Sequence, residues 1–91
     1  MIPAAELVHA APGRIRLRIP ERKGDDDWFA DTRRAINQFP GIVRVIGNSA
    51  TGSFLIRGKD LAVRQIPEVG EERGWFAVRD PARSGGAAAD A

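Results

Sequence analysis

The chain contains no cysteine, which excludes disulfide frameworks, thiolate metal sites, cysteine nucleophiles and redox motifs. It has a single histidine, His9, so one chain cannot form a multi-histidine zinc or copper site. Tyrosine is also absent, and no apolar run approaches the roughly 20 residues that a membrane span needs. Because the opening Met-Ile-Pro does not begin a secretory signal, we expect a cytoplasmic protein.

The 91 residues that are present are typical of one small globular domain. Hydrophobic residues make up 43% and charged residues 29%, a balance that argues against global disorder. Lysine and arginine number 14 against 12 acids, so the positions of the arginines matter more than the net charge of +2. We assign residues 1–80 to the domain and residues 81–91 to a flexible tail or linker rich in glycine and alanine.

The strongest secondary-structure signal is the strict alternation of basic and apolar residues that starts at Arg14. A period of two places Ile15, Leu17 and Ile19 on one face of a strand and three arginines on the other. Three further short apolar runs predict strands, at residues 42–46, 53–57 and 75–79. The sequence therefore predicts four strands.

Two helices are predicted between these strands. An amphipathic pattern indicates a helix near residues 26–39. A second helical stretch begins after Asp60, and we expect a break near residue 66 because Pro67 removes a backbone donor and clashes with the preceding turn. The order βαββαβ is typical of an α+β, ferredoxin-like sandwich, which is a four-stranded antiparallel sheet with two helices on one face.

In that topology the sheet face opposite the helices stays open and should be strongly basic. The binding residues that we expect on it are Arg14, Arg16, Arg18, Arg57, Arg79 and Trp75, with Arg44 on a flanking strand. Guanidinium groups bind phosphates and carboxylates bidentately. The face could hold a nucleic acid, an acidic protein or a second copy, or it could be a solvated surface covered by arginine stems. The central strands present no outward aromatic side chain on which bases could stack, so we favour a protein over a nucleic acid as the partner.

We expect no metal site, although two places have residues of suitable chemistry. A hard cation could be bound by Asp25, Asp26 and Asp27. However, consecutive side chains at the start of a helix point in different directions, and capping of the helix explains why acidic residues are found there. His9 could ligate with carboxylates, across a dimer, or as an axial ligand of a cofactor. We favour a structural role for His9, with its ring bonded to backbone near the bend at Pro12.

Three segments of the chain read HAAPGRIRLR from His9, FPGI from Phe39 and NSATGS from Asn48. Together they resemble the heavy-metal-associated domains of copper chaperones and metal-transporting P-type ATPases, and the similarity extends over residues 8–78. Metal-carrying members hold a soft ion with a Cys-x-x-Cys pair. The equivalent positions here are Asp25 and Trp28, so the chain resembles the cysteine-lacking branch of the family. We therefore do not expect this protein to bind and transfer a soft metal ion. The resemblance implies the fold and a setting near metal transport.

Together these features predict a non-catalytic binding or accessory module that docks to, or regulates, a larger protein linked to metal transport or storage. The partner would be another protein or a second copy of this chain. The domain could also be tethered to a membrane protein or a shell protein. Nucleic-acid binding by the arginines, and metal or cofactor binding by His9 with carboxylates, are the alternative hypotheses. We expect no cofactor and no enzyme, because the sequence has no phosphate loop and no grouped Ser-His-Asp nucleophile.

Overall fold

Five strands form one sheet, and two helices cover one of its faces, in a computed structural model that describes residues 2–79. In chain order the elements are β1 (Ala4–Ala11), β2 (Arg14–Arg18), a 3-10 turn (Pro20–Arg22), α1 (Asp26–Asn37), β3 (Ile42–Asn48), β4 (Ser53–Gly58), α2 (Asp60–Arg73) and β5 (Ala77–Arg79). The strand order is β3-β4-β2-β1-β5. Neighbouring strands are antiparallel except β1 and β5, which run parallel. Neither helix within residues 2–79 is long and apolar enough to cross a membrane.

The α+β class is confirmed, but the prediction of four antiparallel strands is wrong because the segment before Pro12 forms β1. This strand makes a hairpin with β2 and lies between β2 and β5, which the ferredoxin-like order would place side by side. The insertion makes the sheet mixed. The sequence pattern did not reveal β1 because its pairing shifts register between Leu7 and His9, and such a bulge interrupts the period of two.

One cluster of buried side chains joins the sheet to both helices. Its largest fully buried members are Leu17, Ile19, Ile36, Phe54, Ile56, Val63, Ile66 and Phe76. The alternation predicted for β2 is confirmed, since Ile15 and Leu17 are buried while the arginines between them are exposed. Each large apolar side chain buried in this way contributes about 1.5–3 kcal/mol. The core therefore lies between the sheet and the helices, and it leaves the opposite sheet face open.

The helix α2 runs without interruption through Pro67, so the predicted break near residue 66 is wrong. An internal proline costs a helix about 3 kcal/mol because it lacks the N–H and crowds the previous turn. Here Val63 and Ile66 are fully buried in the turn that precedes the proline. Gly70 follows on the buried face, where a Cβ would lie 2.5 Å from the Phe76 ring. Tertiary packing of this face offsets the local cost.

Candidate functional site

The open face of the sheet, which we call the arginine face, carries six exposed arginines within residues 2–79. They are Arg14, Arg16 and Arg18 on β2, Arg44 on β3, Arg57 on β4 and Arg79 on β5. Strand register places Arg57 opposite Arg14 on one side and opposite Arg44 on the other. Neighbouring strands are about 4.8 Å apart, so these three residues form a row of like charges across the sheet. Like charges directly opposite each other on adjacent strands destabilise a sheet.

Little negative charge balances the arginine face. Glu6, opposite Arg18 and beside Arg79, is the one acidic residue that the strands of residues 2–79 place there. The ion pairs found in the same range are Arg22–Asp25, Arg34–Asp31 and Arg64–Asp60. None of them involves an arginine of this face. The face is therefore positively charged and ready to accept an anionic group.

Within residues 2–79, the arginine face has at least three depressions. The largest, of about 510 Å³, is lined by Pro12, Gly13, Val43, Arg44, Arg57 and Gly58. The central one, of about 400 Å³, is lined by Val8, His9, Arg14, Arg16 and Leu55. The smallest, of about 200 Å³, is lined by Val8, Arg16, Arg18, Thr51 and Ser53. Each combines two guanidinium groups with apolar atoms, an arrangement that suits an anionic group attached to a hydrocarbon chain.

His9 lies on this face, opposite Arg16 in the ladder between β1 and β2. Its Nε2 is 3.5 Å from an Nη of Arg14. A guanidinium can only donate, so Nε2 is the acceptor in this contact. The hydrogen bond of the ring is thus to a side chain rather than to the backbone of the Pro12 bend, which corrects the expectation from the sequence. Across residues 2–79, no three His, Asp or Glu side chains are grouped in a way that could hold a metal ion.

Trp75 does not lie with the arginines. β5 begins at Ala77, two residues later than predicted, and Trp75 precedes it. The Trp75 side chain is half-buried against the core, and the Arg73 guanidinium at the end of α2 lies 5.8 Å from its ring centroid. The indole therefore belongs to the helix layer. The strands of residues 2–79 consequently present no phenylalanine or tryptophan on the arginine face.

The aspartates at the start of α1 have structural partners. Asp25 caps the helix by accepting a hydrogen bond from the Trp28 backbone N–H at 3.1 Å, which confirms the predicted capping role. Its second oxygen is 3.5 Å from Arg22. Asp26 accepts a hydrogen bond from the Ser49 hydroxyl, whereas Asp27 is exposed. The start of α1 thus carries a capping carboxylate at Asp25 and a half-buried indole at Trp28.

Substitution of the capping residue Asp25 should lower the stability of the protein, and divalent cations should not change that stability. We expect Asp25→Ala to lower the free energy of unfolding by about 1 kcal/mol, because α1 loses the acceptor for one of its first N–H groups. Asp27→Ala, in the same turn, should change it by less than about 0.5 kcal/mol. Urea unfolding followed by circular dichroism measures both. A stabilisation by millimolar Ca²⁺ or Mg²⁺ that both variants lose would instead indicate a cation site.

Among the residues of the arginine face that were not anticipated from the sequence are Glu6, Val8 and Thr51. The first two lie on β1, which the sequence pattern did not reveal as a strand. Thr51 lies in the turn between β3 and β4, where no periodicity predicts a direction. The signal for β1 in the sequence is weak, because Glu6, Leu7, Val8 and His9 do not alternate in polarity and alanines flank them on both sides.

No protein-family model matches this chain, and no curated protein or solved structure matches it. The resemblance to heavy-metal-associated domains therefore rests on the three sequence segments that begin at His9, Phe39 and Asn48. The arginine face itself is the feature of the molecule that points to a function.

Proposed function

We propose that the protein is a non-catalytic binding module that docks through the arginine face onto an acidic surface of a partner protein. The observation that carries the proposal is the row of Arg44, Arg57 and Arg14, which has no acidic partner within residues 2–79. Because opposed like charges weaken a sheet, this row costs stability that a bound anionic surface would restore. The resemblance to heavy-metal-associated domains would place that partner near metal transport or storage.

The composition of the face favours a protein over a nucleic acid. Sheets that bind single-stranded RNA or DNA stack bases on aromatic side chains, and the strands within residues 2–79 offer none on this side. They offer aliphatic side chains between the arginines instead, since Val8 is 48% and Ile46 is 42% exposed. Arginine next to small apolar patches is typical of protein interfaces, where guanidinium groups often supply much of the binding energy.

The same charges disfavour a second copy of the chain as the occupant of this face. A symmetric contact would bring two arginine faces together, with Glu6 of each copy as the one acidic side chain available from the strands of residues 2–79. Juxtaposed like charges cost several kcal/mol in an interface. An acidic surface on a different protein satisfies the same guanidinium groups without that repulsion.

Charge reversal at the centre of the face tests the proposal. The fluorescently labelled protein should bind poly-L-glutamate with an affinity that falls as salt rises. In fluorescence anisotropy, Arg16→Glu combined with Arg18→Glu should weaken this binding by about 100-fold, which corresponds to about 1.4 kcal/mol for each reversed charge. The reason is that both guanidinium groups lie at the middle of the field and have no competing ion pair within residues 2–79.

The matched control reverses two charges on the helix layer. Arg33→Glu combined with Arg34→Glu changes the net charge equally, but both side chains are exposed on α1, away from the arginine face. Screening over that distance should keep its effect to about threefold. Equal losses in the two double variants, or no binding of poly-L-glutamate at low salt, would refute docking by this face. Binding of single-stranded RNA of matched charge more than about tenfold tighter would favour the nucleic-acid alternative.

A further inference from the structure

Four hydrogen-bond donors from three segments converge on the smallest depression of the arginine face. β2 supplies Arg16 and Arg18, β4 supplies Ser53 directly opposite Arg18, and the turn between β3 and β4 supplies Thr51. The Thr51 and Ser53 hydroxyl oxygens are 2.8 Å apart. With Val8 they line an open depression of about 200 Å³, and no acidic side chain of residues 2–79 lines it. We call this depression the oxyanion pocket.

The hydroxyl side of the pocket is held in place by backbone contacts. The Thr51 hydroxyl lies 3.3 Å from the carbonyl oxygen of Asn48, to which it can donate. Gly52 lies in the left-handed region at φ +68° and its carbonyl accepts from the Ile19 N–H at 2.6 Å, which ties the turn to the end of β2. Hydroxyl hydrogens rotate freely about the C–O bond. Both hydroxyls can therefore turn towards an anion without movement of the backbone, and they exchange the hydrogen bonds to each other and to Asn48 for bonds to the anion.

We infer that the oxyanion pocket binds a phosphomonoester, carried by a phosphorylated side chain of the partner. A phosphomonoester presents three terminal oxygens and a charge of about −1.5 to −2 at neutral pH. Two guanidinium groups balance that charge, and together with the two hydroxyls they can donate hydrogen bonds to all three oxygens. A carboxylate or a phosphodiester has only two free oxygens and a single charge, so it would leave part of this donor set unused.

The lining of the neighbouring depression favours a phosphate group that is attached to a peptide. It shares Val8 and Arg16 with the oxyanion pocket and adds the half-exposed Leu55. An apolar residue next to the phosphorylated one can lie against Val8 and Leu55 while the phosphate is held by the arginines. The identity of the carrier rests on the proposed function, whereas recognition of the phosphate group does not.

Titration of the full chain with inorganic phosphate, followed by proton–nitrogen correlation NMR at constant ionic strength, tests the pocket. Saturable shifts should be largest for the backbone amides of Arg18, Thr51 and Ser53. A blocked Leu-phosphoserine-Leu peptide should bind more tightly than inorganic phosphate because it adds apolar contact. The same peptide with glutamate in place of phosphoserine should bind at least about tenfold more weakly. Dimethyl phosphate, a diester, should also bind more weakly than the phosphopeptide.

Variants separate the pocket from the general charge of the face. Ser53→Ala with Thr51→Val removes both hydroxyls without changing charge and should weaken phosphopeptide binding by about tenfold, while poly-L-glutamate binding stays within about twofold. Thr51→Ser keeps the hydroxyl and should retain binding, which controls for disturbance of the turn. Arg18→Gln should cost about tenfold, and Arg79→Gln, an equal charge change on the same face, about twofold.

The outcomes distinguish this inference from the proposed function. Shifts spread evenly over all six arginines, an unaffected hydroxyl double variant, or equal affinity for dimethyl phosphate would overturn the pocket. Poly-L-glutamate binding would be unchanged by those results, so docking on an acidic protein would stand. Saturable phosphate binding without any binding of poly-L-glutamate would support the pocket and refute the acidic docking surface.

Discussion

Removal of residues 1–11 should abolish the cooperative unfolding transition of this protein, because β1 is an interior strand. β1 pairs with β2 on one side and is the strand to which β5 is hydrogen-bonded. Ala5 is fully buried where β1 and β5 meet, and Phe76, just before β5, is fully buried as well. Loss of β1 would release β5 and expose that part of the core. A small domain with a total stability of about 5–15 kcal/mol cannot absorb such a loss.

Thermal unfolding followed by circular dichroism, with binding of a hydrophobic dye as a second readout, measures this effect. The matched control removes the same number of residues from the other end, 81–91. The transition should be unchanged because the sequence of these residues, which lie outside the described part of the chain, predicts a flexible tail. A sharp transition in the chain that lacks residues 1–11 would mean that β5 pairs directly with β2, as in the four-stranded sheet expected from the sequence.

Phe54→Ala should cost more stability than the substitution of any exposed residue on the same strand. The Phe54 side chain is fully buried on β4, with its ring centroid 4.8 Å from that of Phe29 and 5.9 Å from that of Trp28. Gly47 on β3 leaves room for the ring, since a Cβ there would come within 2.9 Å of it. Replacing a fully buried phenylalanine by alanine costs about 3–5 kcal/mol, which lowers Tm by at least about 12 °C in a domain of this size.

The adjacent residue provides the control for this substitution. Leu55 lies on the same strand but on the arginine face, where it is only half-buried. Leu55→Ala should therefore cost less than about 1 kcal/mol. Differential scanning calorimetry of the two variants gives the comparison directly. If Phe54→Ala melts within a few degrees of the unaltered protein, the aromatic cluster between α1 and the sheet is not the centre of the core.

The elements that could be predicted are those in which short-range periodicity and burial agree. The alternation around Ile15 and Leu17 predicts both the strand β2 and its buried face, and the structure confirms each. The helix predicted near residues 26–39 is observed as Asp26–Asn37, with the acid just before its start acting as the cap. These features depend on neighbours within a few positions along the chain, so the amino-acid order contains them.

The elements that could not be predicted depend on partners distant in sequence. β1 has alanines and a bulge instead of a strong pattern, and it is stabilised by pairing with β5 about 70 residues away. Local propensity for a break at Pro67 is overridden because Val63 and Ile66 are packed into the core. In both cases the deciding free energy comes from tertiary contacts that no local window contains.

The amino-acid order by itself determined that the chain lacks thiolate chemistry, that it folds as an α+β domain, and that arginines alternate with core residues on β2. Only the tertiary structure decided which arginines face each other, which hydroxyls lie beside Arg18, and that Trp75 is directed to the helix layer. The physical reason is the range of the interactions. Side-chain alternation is set by the geometry of one strand, whereas an anion-binding surface is assembled by the register between strands.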